Sequence, residues 1–181
     1  YNGKLMLEDS PLGLKTNVAD FTQDLTLNAT PATRIEDCYS LKNIKTSHAH
    51  YIANEVKMTL SSRRRRIGVE FRVGNNDVAF RYTIPVWGDS RACVVTDEDT
   101  GFNLPGNTTT FLTPQSDAMI GWKRTKPSYE EIYKADAPMS DRSQYGHGYT
   151  FPALFHVGND GWVLVSETGV DSRYCASRLS D

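Results

Sequence analysis

Among the residues of this chain, Glu167 is the best placed for chemistry. It follows the run Trp162-Val163-Leu164-Val165-Ser166 and precedes Thr168-Gly169, so a carboxylate arrives where an apolar strand ends. A strand of that composition reads as buried on both faces, which sets Glu167 at the rim of a core, in reach of a metal, a ligand or a neighbouring domain. The plain alternative is a glutamate that meets water where its strand stops. His147 lies between two glycines in Q-Y-G-H-G-Y-T and is free to face a cleft or solvent. Trp87, Trp122 and Trp162 are sugar-stacking platforms or core residues, and three tryptophans in a chain of this size are more often core. The acidic Asp97-Glu98-Asp99 cluster lacks the spacing and glycine of a calcium loop and reads as a solvated turn. Cys38, Cys93 and Cys175 make no C-x-x-C pair and no zinc spacing with the four histidines; small buried side chains, with a disulfide allowed but not required, account for them. No nucleophile elbow, metalloprotease helix, phosphate-cradling glycine loop or paired histidine motif is present. By its own residues the chain does not announce catalysis.

The elements that must position Glu167 are strands. Ala153–Val157 and Trp162–Ser166 form a hairpin through Gly158-Asn159-Asp160-Gly161, whose residues readily take the positive φ angles of a tight turn. Upstream, Asn54–Leu60, Ile67–Val73 and Val78–Ile84 each alternate apolar and polar residues, and Gly74-Asn75-Asn76-Asp77 turns the second into the third. That antiparallel meander predicts a sandwich or barrel. Leu5–Leu14 reads as two extended pieces broken at Pro11, Asp20–Thr30 alternates with period two, and Tyr39–Ala53 is assigned to strand. Val94-Val95-Thr96 and Thr110-Phe111-Leu112 are short strand candidates. Ser128-Tyr129-Glu130-Glu131-Ile132-Tyr133 fits a capping box and a short helix, yet its alternation also suits a strand.

With 181 residues the chain is long enough for one well-cored domain, spanning residues 1–181. Its net charge of -2 offers no general attraction to phosphate backbones or anionic membranes, so neither nucleic acid nor membrane is expected as a partner. Arg63–Arg66, the one run of like charge, joins two alternating strands and lacks interleaved aromatics, which suits a solvated turn and strand start. No apolar run has membrane-spanning length and no signal peptide is present. The chain opens at Tyr1-Asn2-Gly3-Lys4, a hairpin-turn signature without its first strand, as expected of a processed or excised piece. Asn28-Ala29-Thr30 and Asn107-Thr108-Thr109 match the glycosylation sequon, which matters only in a eukaryotic secreted context.

Several segments in order, L-E-D-S-P-L-G-L, R-I-G-V-E-F-R-V, D-V-A-F-R-Y, Y-E-E-I-Y and W-V-L-V-S-E-T-G-V-D-S-R-Y, make the chain resemble the N-terminal domain of glycoside hydrolase family 97. These are bacterial α-glucosidases and α-galactosidases of polysaccharide-utilisation systems. The resemblance implies an all-β, antiparallel β-super-sandwich of the galactose-mutarotase-like kind, incomplete at both ends, packed on a catalytic (β/α)8 barrel of the same polypeptide. It implies that Glu167 is one ligand of an active-site calcium whose other protein ligands are barrel glutamates. It also implies an α-linked oligosaccharide substrate, a periplasmic or secreted location, and an acid and second carboxylate supplied by the barrel. The fragment alone is then expected to be inactive. A reading of a different class stands beside it: a free-standing carbohydrate-binding β-sandwich with aromatic platforms and no catalysis.

Overall fold

The computed structural model of the chain describes residues 1–88, 92–116, 131–172 and 176–181. Trp122, the capping-box residues Ser128, Tyr129 and Glu130, and Cys175 lie outside the described residues. The described residues hold eleven strands and no helix, and all the strand pairings are antiparallel. They divide into two compact units, Ser10–Gly101 and Tyr1–Asp9 with Phe102–Asp181.

The unit Ser10–Gly101 carries β1 (Leu14–Thr16), β2 (Thr26–Ala29), β3 (Thr33–Ser40), β4 (His48–Ser62), β5 (Arg65–Val73), β6 (Val78–Thr83) and β7 (Val95–Glu98). The expected meander is β4, β5 and β6, with Leu60 opposite Ile67 and Val73 opposite Val78. Its apolar face is sealed at one end, where Ile67 and Val69 are buried, and open at the other, where Val78 is exposed. Phe21, 0% exposed, lies outside any strand, and its ring stacks on Trp87 at 6.2 Å. The predicted alternation over Asp20–Thr30 shrinks to β2, whose four residues are all exposed; burying Phe21 costs the strand its start. Asp97 and Glu98, expected in a turn, lie in β7 opposite Lys15 and Leu14, where pairing of the backbone with β1 outweighs the turn preference of the acids.

Arg63 and Arg64 make the turn between β4 and β5, Arg63 with a φ of 53°, while Arg65 sets its guanidinium 5.2 Å from the centre of the Trp87 ring. The long strand β4 is shared: β3 and then β2 pair with successive stretches of one edge, and β5 pairs with its C-terminal half on the other. Residues 48–53 therefore have only β3 as a strand partner among the described residues, so the β3–β4 hairpin continues past the end of β5 as a two-stranded ribbon. Tyr39–Ala53 was expected as one strand; it is the tip of this hairpin, with a loop from Leu41 to Ser47 closed by the Leu41 amide donating to the Ser47 carbonyl at 2.8 Å.

The second unit carries β8 (Thr108–Leu112), β9 (Lys134–Pro138), β10 (Ala153–Val157) and β11 (Gly161–Val165) in the order β11-β10-β8-β9. Its core is Ala153, Phe155 and Val165, with Phe102, Leu104, Leu112, Phe151, Val163 and Leu179 packed against them. At the amino end, Asn2 and Gly3 take φ angles of 47° and 74° and Lys4 donates its amide to the Tyr1 carbonyl at 2.8 Å, which is the tight turn expected of Asn-Gly. The Lys4 ammonium reaches Asp160 in the β10–β11 turn at 2.9 Å.

Candidate functional site

The hairpin β10–β11 forms as its sequence requires. Ala153 pairs with Val165 and Val157 with Gly161, and Gly158 and Gly161 take φ angles of 49° and 150° in the turn between them. Side chains then alternate: Ala153, Phe155, Val157 and Val165 are buried, whereas Trp162 and Leu164 are 53% and 63% exposed. Burial of β11 on both faces is thus corrected. β11 is the edge strand of its sheet, and its outward face is aromatic instead of covered. Trp162 stacks on His156 with ring centres 4.1 Å apart and planes 10° apart, and Phe111 lies 5.3 Å away on the same face. Thr109 donates its hydroxyl to Asp136 at 2.9 Å, and His156 Nδ1 lies 3.7 Å from the same carboxylate oxygen.

Glu167 stands two positions past the buried Val165 and is half-buried, between the exposed Ser166 and Thr168. Its carboxylate is tethered: the Ser177 amide donates to Oε1 at 3.2 Å and to Oε2 at 3.1 Å. One N–H shared between both oxygens engages a fraction of the roughly four lone-pair sites of a carboxylate, leaving oxygen for a hard cation or another donor. Among the described residues no group of three or more His, Cys, Asp or Glu side chains surrounds a common point. Calcium takes about six to eight oxygens, so Glu167 fits as one ligand of a site completed by other groups.

His147 is exposed beside an open depression lined with Gly146, Gly148, Arg178, Ser180 and Asp181, which is the solvent-facing alternative. The glycine that matters in this loop is Gly148, whose φ is 79°. A Cβ there would lie 1.9 Å from the Leu179 carbonyl oxygen. Its neighbour Tyr149 exchanges two backbone hydrogen bonds with Leu179, both at 2.9 Å, and Tyr149 also bridges to Pro114. Burial raises the pKa of the Tyr149 phenol, with the charges of Asp181 and Asp141 adding to the effect, and its hydroxyl donates to the Asp141 carbonyl at 3.1 Å. Sequence reasoning missed this seat because its signal, a glycine followed by a tyrosine, is no different from an ordinary loop. Cys38 is exposed and Cys93 half-buried, both as free thiols, so for Cys38 the reading as a buried apolar side chain is overturned; it lies in the part of β3 that pairs with the ribbon half of β4. No described helix is long and apolar enough to cross a membrane.

Comparison with known proteins gives one consistent picture. The family profile described as Glycosyl-hydrolase 97 N-terminal matches residues 1–181. A curated relative, the probable retaining alpha-galactosidase of Streptomyces bingchenggensis (strain BCW-1), is 26% identical over 98% of this chain, which spans 25% of that protein. The crystal structure of a beta-arabinopyranosidase superposes with a TM-score of 0.93 at 64% identity, covering all of this chain and 29% of the other. A glycoside hydrolase family 97 enzyme from Pseudoalteromonas sp. strain K8, solved in complexes with panose and with acarbose, superposes with a TM-score of 0.68 at 19% identity, over 86% of this chain and 22% of its own. That last likeness shows the fold, and with the antiparallel sheets above it places the chain among all-β sandwiches.

Proposed function

Since the chain belongs to the glycosyl-hydrolase 97 N-terminal family, we propose that it supports a catalytic (β/α)8 barrel of the same polypeptide and lends Glu167 to an active-site calcium. The observation that carries this reading is the half-buried carboxylate at the end of β11, held by a single shared amide with oxygen to spare. A calcium bound there would polarise sugar oxygens and stabilise negative charge developing on the leaving oxygen. This chain's part is to hold one hard oxygen at a fixed place; the acid and second carboxylate of hydrolysis belong to the barrel.

For the substrate, the strongest support is the 64% identity with a beta-arabinopyranosidase over the whole chain. In the L series, a β-arabinopyranoside and an α-D-galactoside have the same ring arrangement and differ by one hydroxymethyl group. In that series the labels β and α describe the same spatial kind of glycosidic bond. The proposed substrate is a pyranoside of galacto configuration, an arabinopyranoside first, in a periplasmic or secreted enzyme of polysaccharide utilisation. Cell fractionation tests the location.

The test is Glu167→Gln in the intact polypeptide, assayed on p-nitrophenyl β-L-arabinopyranoside, α-D-galactopyranoside and α-D-glucopyranoside across a calcium titration. Weaker calcium dependence and slower turnover with an unchanged melting point are expected, and a normal calcium response ends the reading. A carbohydrate-binding module without catalysis is favoured by one observation, the exposed indole of Trp162 beside Phe111. It requires the tryptophan fluorescence of the 181-residue chain to respond to glycans.

A further inference from the structure

We propose that the backbone amide of Ser177, seated by the Tyr149–Leu179 bridge, is the positioning group for the Glu167 carboxylate, and that Gly148 is the residue that lets this seat close. The proposal rests on the calcium reading of Glu167 and names what aims that ligand.

A glutamate past the end of a strand has three side-chain torsions and no ladder to hold its backbone, so an unassisted carboxylate samples many positions. Here both of its oxygens point at one N–H, that of Ser177, at 3.2 and 3.1 Å. A donor aims an acceptor only if the donor is itself fixed. Two residues on, Leu179 gives its amide to the Tyr149 carbonyl and accepts the Tyr149 amide, both at 2.9 Å, and its side chain packs on the core cluster of Ala153, Phe155 and Val165. The Tyr149 segment is held in turn from its other side: Gln115 donates its amide to the Gly148 carbonyl at 2.8 Å, and Thr150 donates its amide to the Thr113 carbonyl at 3.0 Å. The Gly148 amide donates to the Ser143 hydroxyl at 3.0 Å. The chain of contacts thus runs from Thr113 and Gln115, just past β8, through residues 148–150 and Leu179 to the Ser177 amide and the carboxylate.

Gly148 is where this chain of contacts is most easily broken. The Leu179 carbonyl approaches so closely that a Cβ at 148 would meet it at 1.9 Å, and the φ of 79° is one that side chains rarely adopt. Any larger residue pushes the 177–179 segment off its seat. The Gly-His-Gly-Tyr loop then has a purpose that does not involve the imidazole of His147: it admits the segment that carries the Ser177 amide.

The experiment measures calcium or terbium affinity by luminescence in the intact polypeptide for wild type, E167Q, S177P, S177A and G148A. It adds amide exchange at Ser177 in wild type and E167A. Proline removes the N–H, so S177P is expected to bind calcium about tenfold more weakly, the scale of a lost hydrogen bond to a charged group. S177A keeps the amide and loses less than S177P, and G148A weakens binding as S177P does. The Ser177 amide is protected in wild type and exchanges about tenfold faster or more in E167A, a readout that stands even where S177P fails to fold. The proposal is overturned if S177P binds calcium as wild type while E167Q does not, if S177A loses as much as S177P, or if the wild-type Ser177 amide exchanges unprotected. If E167Q itself binds calcium normally, the calcium reading fails and the proposal with it; a protected Ser177 amide would then mark a hydrogen bond of structure alone.

Discussion

Arg72 donates its Nε–H to Oε2 of Glu55 at 2.8 Å from the position directly opposite across the β4–β5 pair. Glu55 is 7% exposed, and Lys57 brings a second cation within 3.3 Å of its other oxygen. One row on, Glu70 faces Lys57 in register and accepts from Arg81 at 2.9 Å. The polar face of the meander is therefore a checkerboard of opposite charges. The Arg72 hydrogen bond holds the Glu55 pKa below its usual value. A lowered carboxyl pKa stabilises the fold above the unfolded value, about 4.3 for glutamate, and that contribution is lost as pH falls through the folded value. Glu55→Gln is expected to lower the melting point at pH 7, with the gap to wild type closing on acidification. Melting curves from pH 7 down to 3 check this, and a gap that widens in acid contradicts it.

Truncations on the same sheet face should separate by burial. Ile67 is 1% exposed and Val78 is 64% exposed, although both belong to the apolar face of the meander. Ile67→Ala should cost about 3 kcal/mol of unfolding free energy, and Val78→Ala less than about 1 kcal/mol. Urea denaturation of both variants measures the contrast, and equal losses would mean that the open end of the face is covered.

The 181-residue chain by itself should not hydrolyse p-nitrophenyl β-L-arabinopyranoside. Glycoside hydrolysis needs two carboxyl groups flanking the bond at a separation of about 5 to 9.5 Å, and the proposed pair lies in the barrel. Turnover by the chain alone would assign the acid and its partner to residues within it.

Thiol reagents should label Cys38 before Cys93. It is exposed on the β3–β4 ribbon, while Cys93 is half-buried. Peptide mapping after brief alkylation should find the Cys38 peptide modified well before the Cys93 peptide, and equal rates at the two would contradict this.

The sequence carried the local rules well and the placement of faces less well. Period-two alternation located β4, β5 and β6, and the hairpin β10–β11 fell within one residue of its expected bounds, because turn residues and alternation act over a few neighbours. β3 and β9 were missed, since Thr33–Ser40 and Lys134–Pro138 are polar and are strands only because β4 and β8 offer them partners. An apolar β11 implied two covered faces, but composition does not say what lies against Trp162 and Leu164. Glu167 was legible as a carboxylate at a strand end. Its amide donor was not, because that donor is a backbone group ten positions away whose place depends on a second segment.

The ribbon formed by the far half of the β3–β4 hairpin has a thermodynamic consequence. Toward its tip, residues 48–53 of β4 have only β3 as a strand partner among the described residues, and the Tyr51 hydroxyl, donating to Asp77 at 3.0 Å, ties them back to the β5–β6 turn; a lone pair of strands is marginal in water. Its opening leaves Ile67, Val69 and Phe21 in place, so its free energy is set by its own ladder, by cross-strand contacts such as His50 with Glu36 at 2.6 Å, and by the Tyr51–Asp77 hydrogen bond. Substitutions there will be nearly silent in a global melt, and their effects will appear as changes in the fraction of molecules with the arm transiently undone.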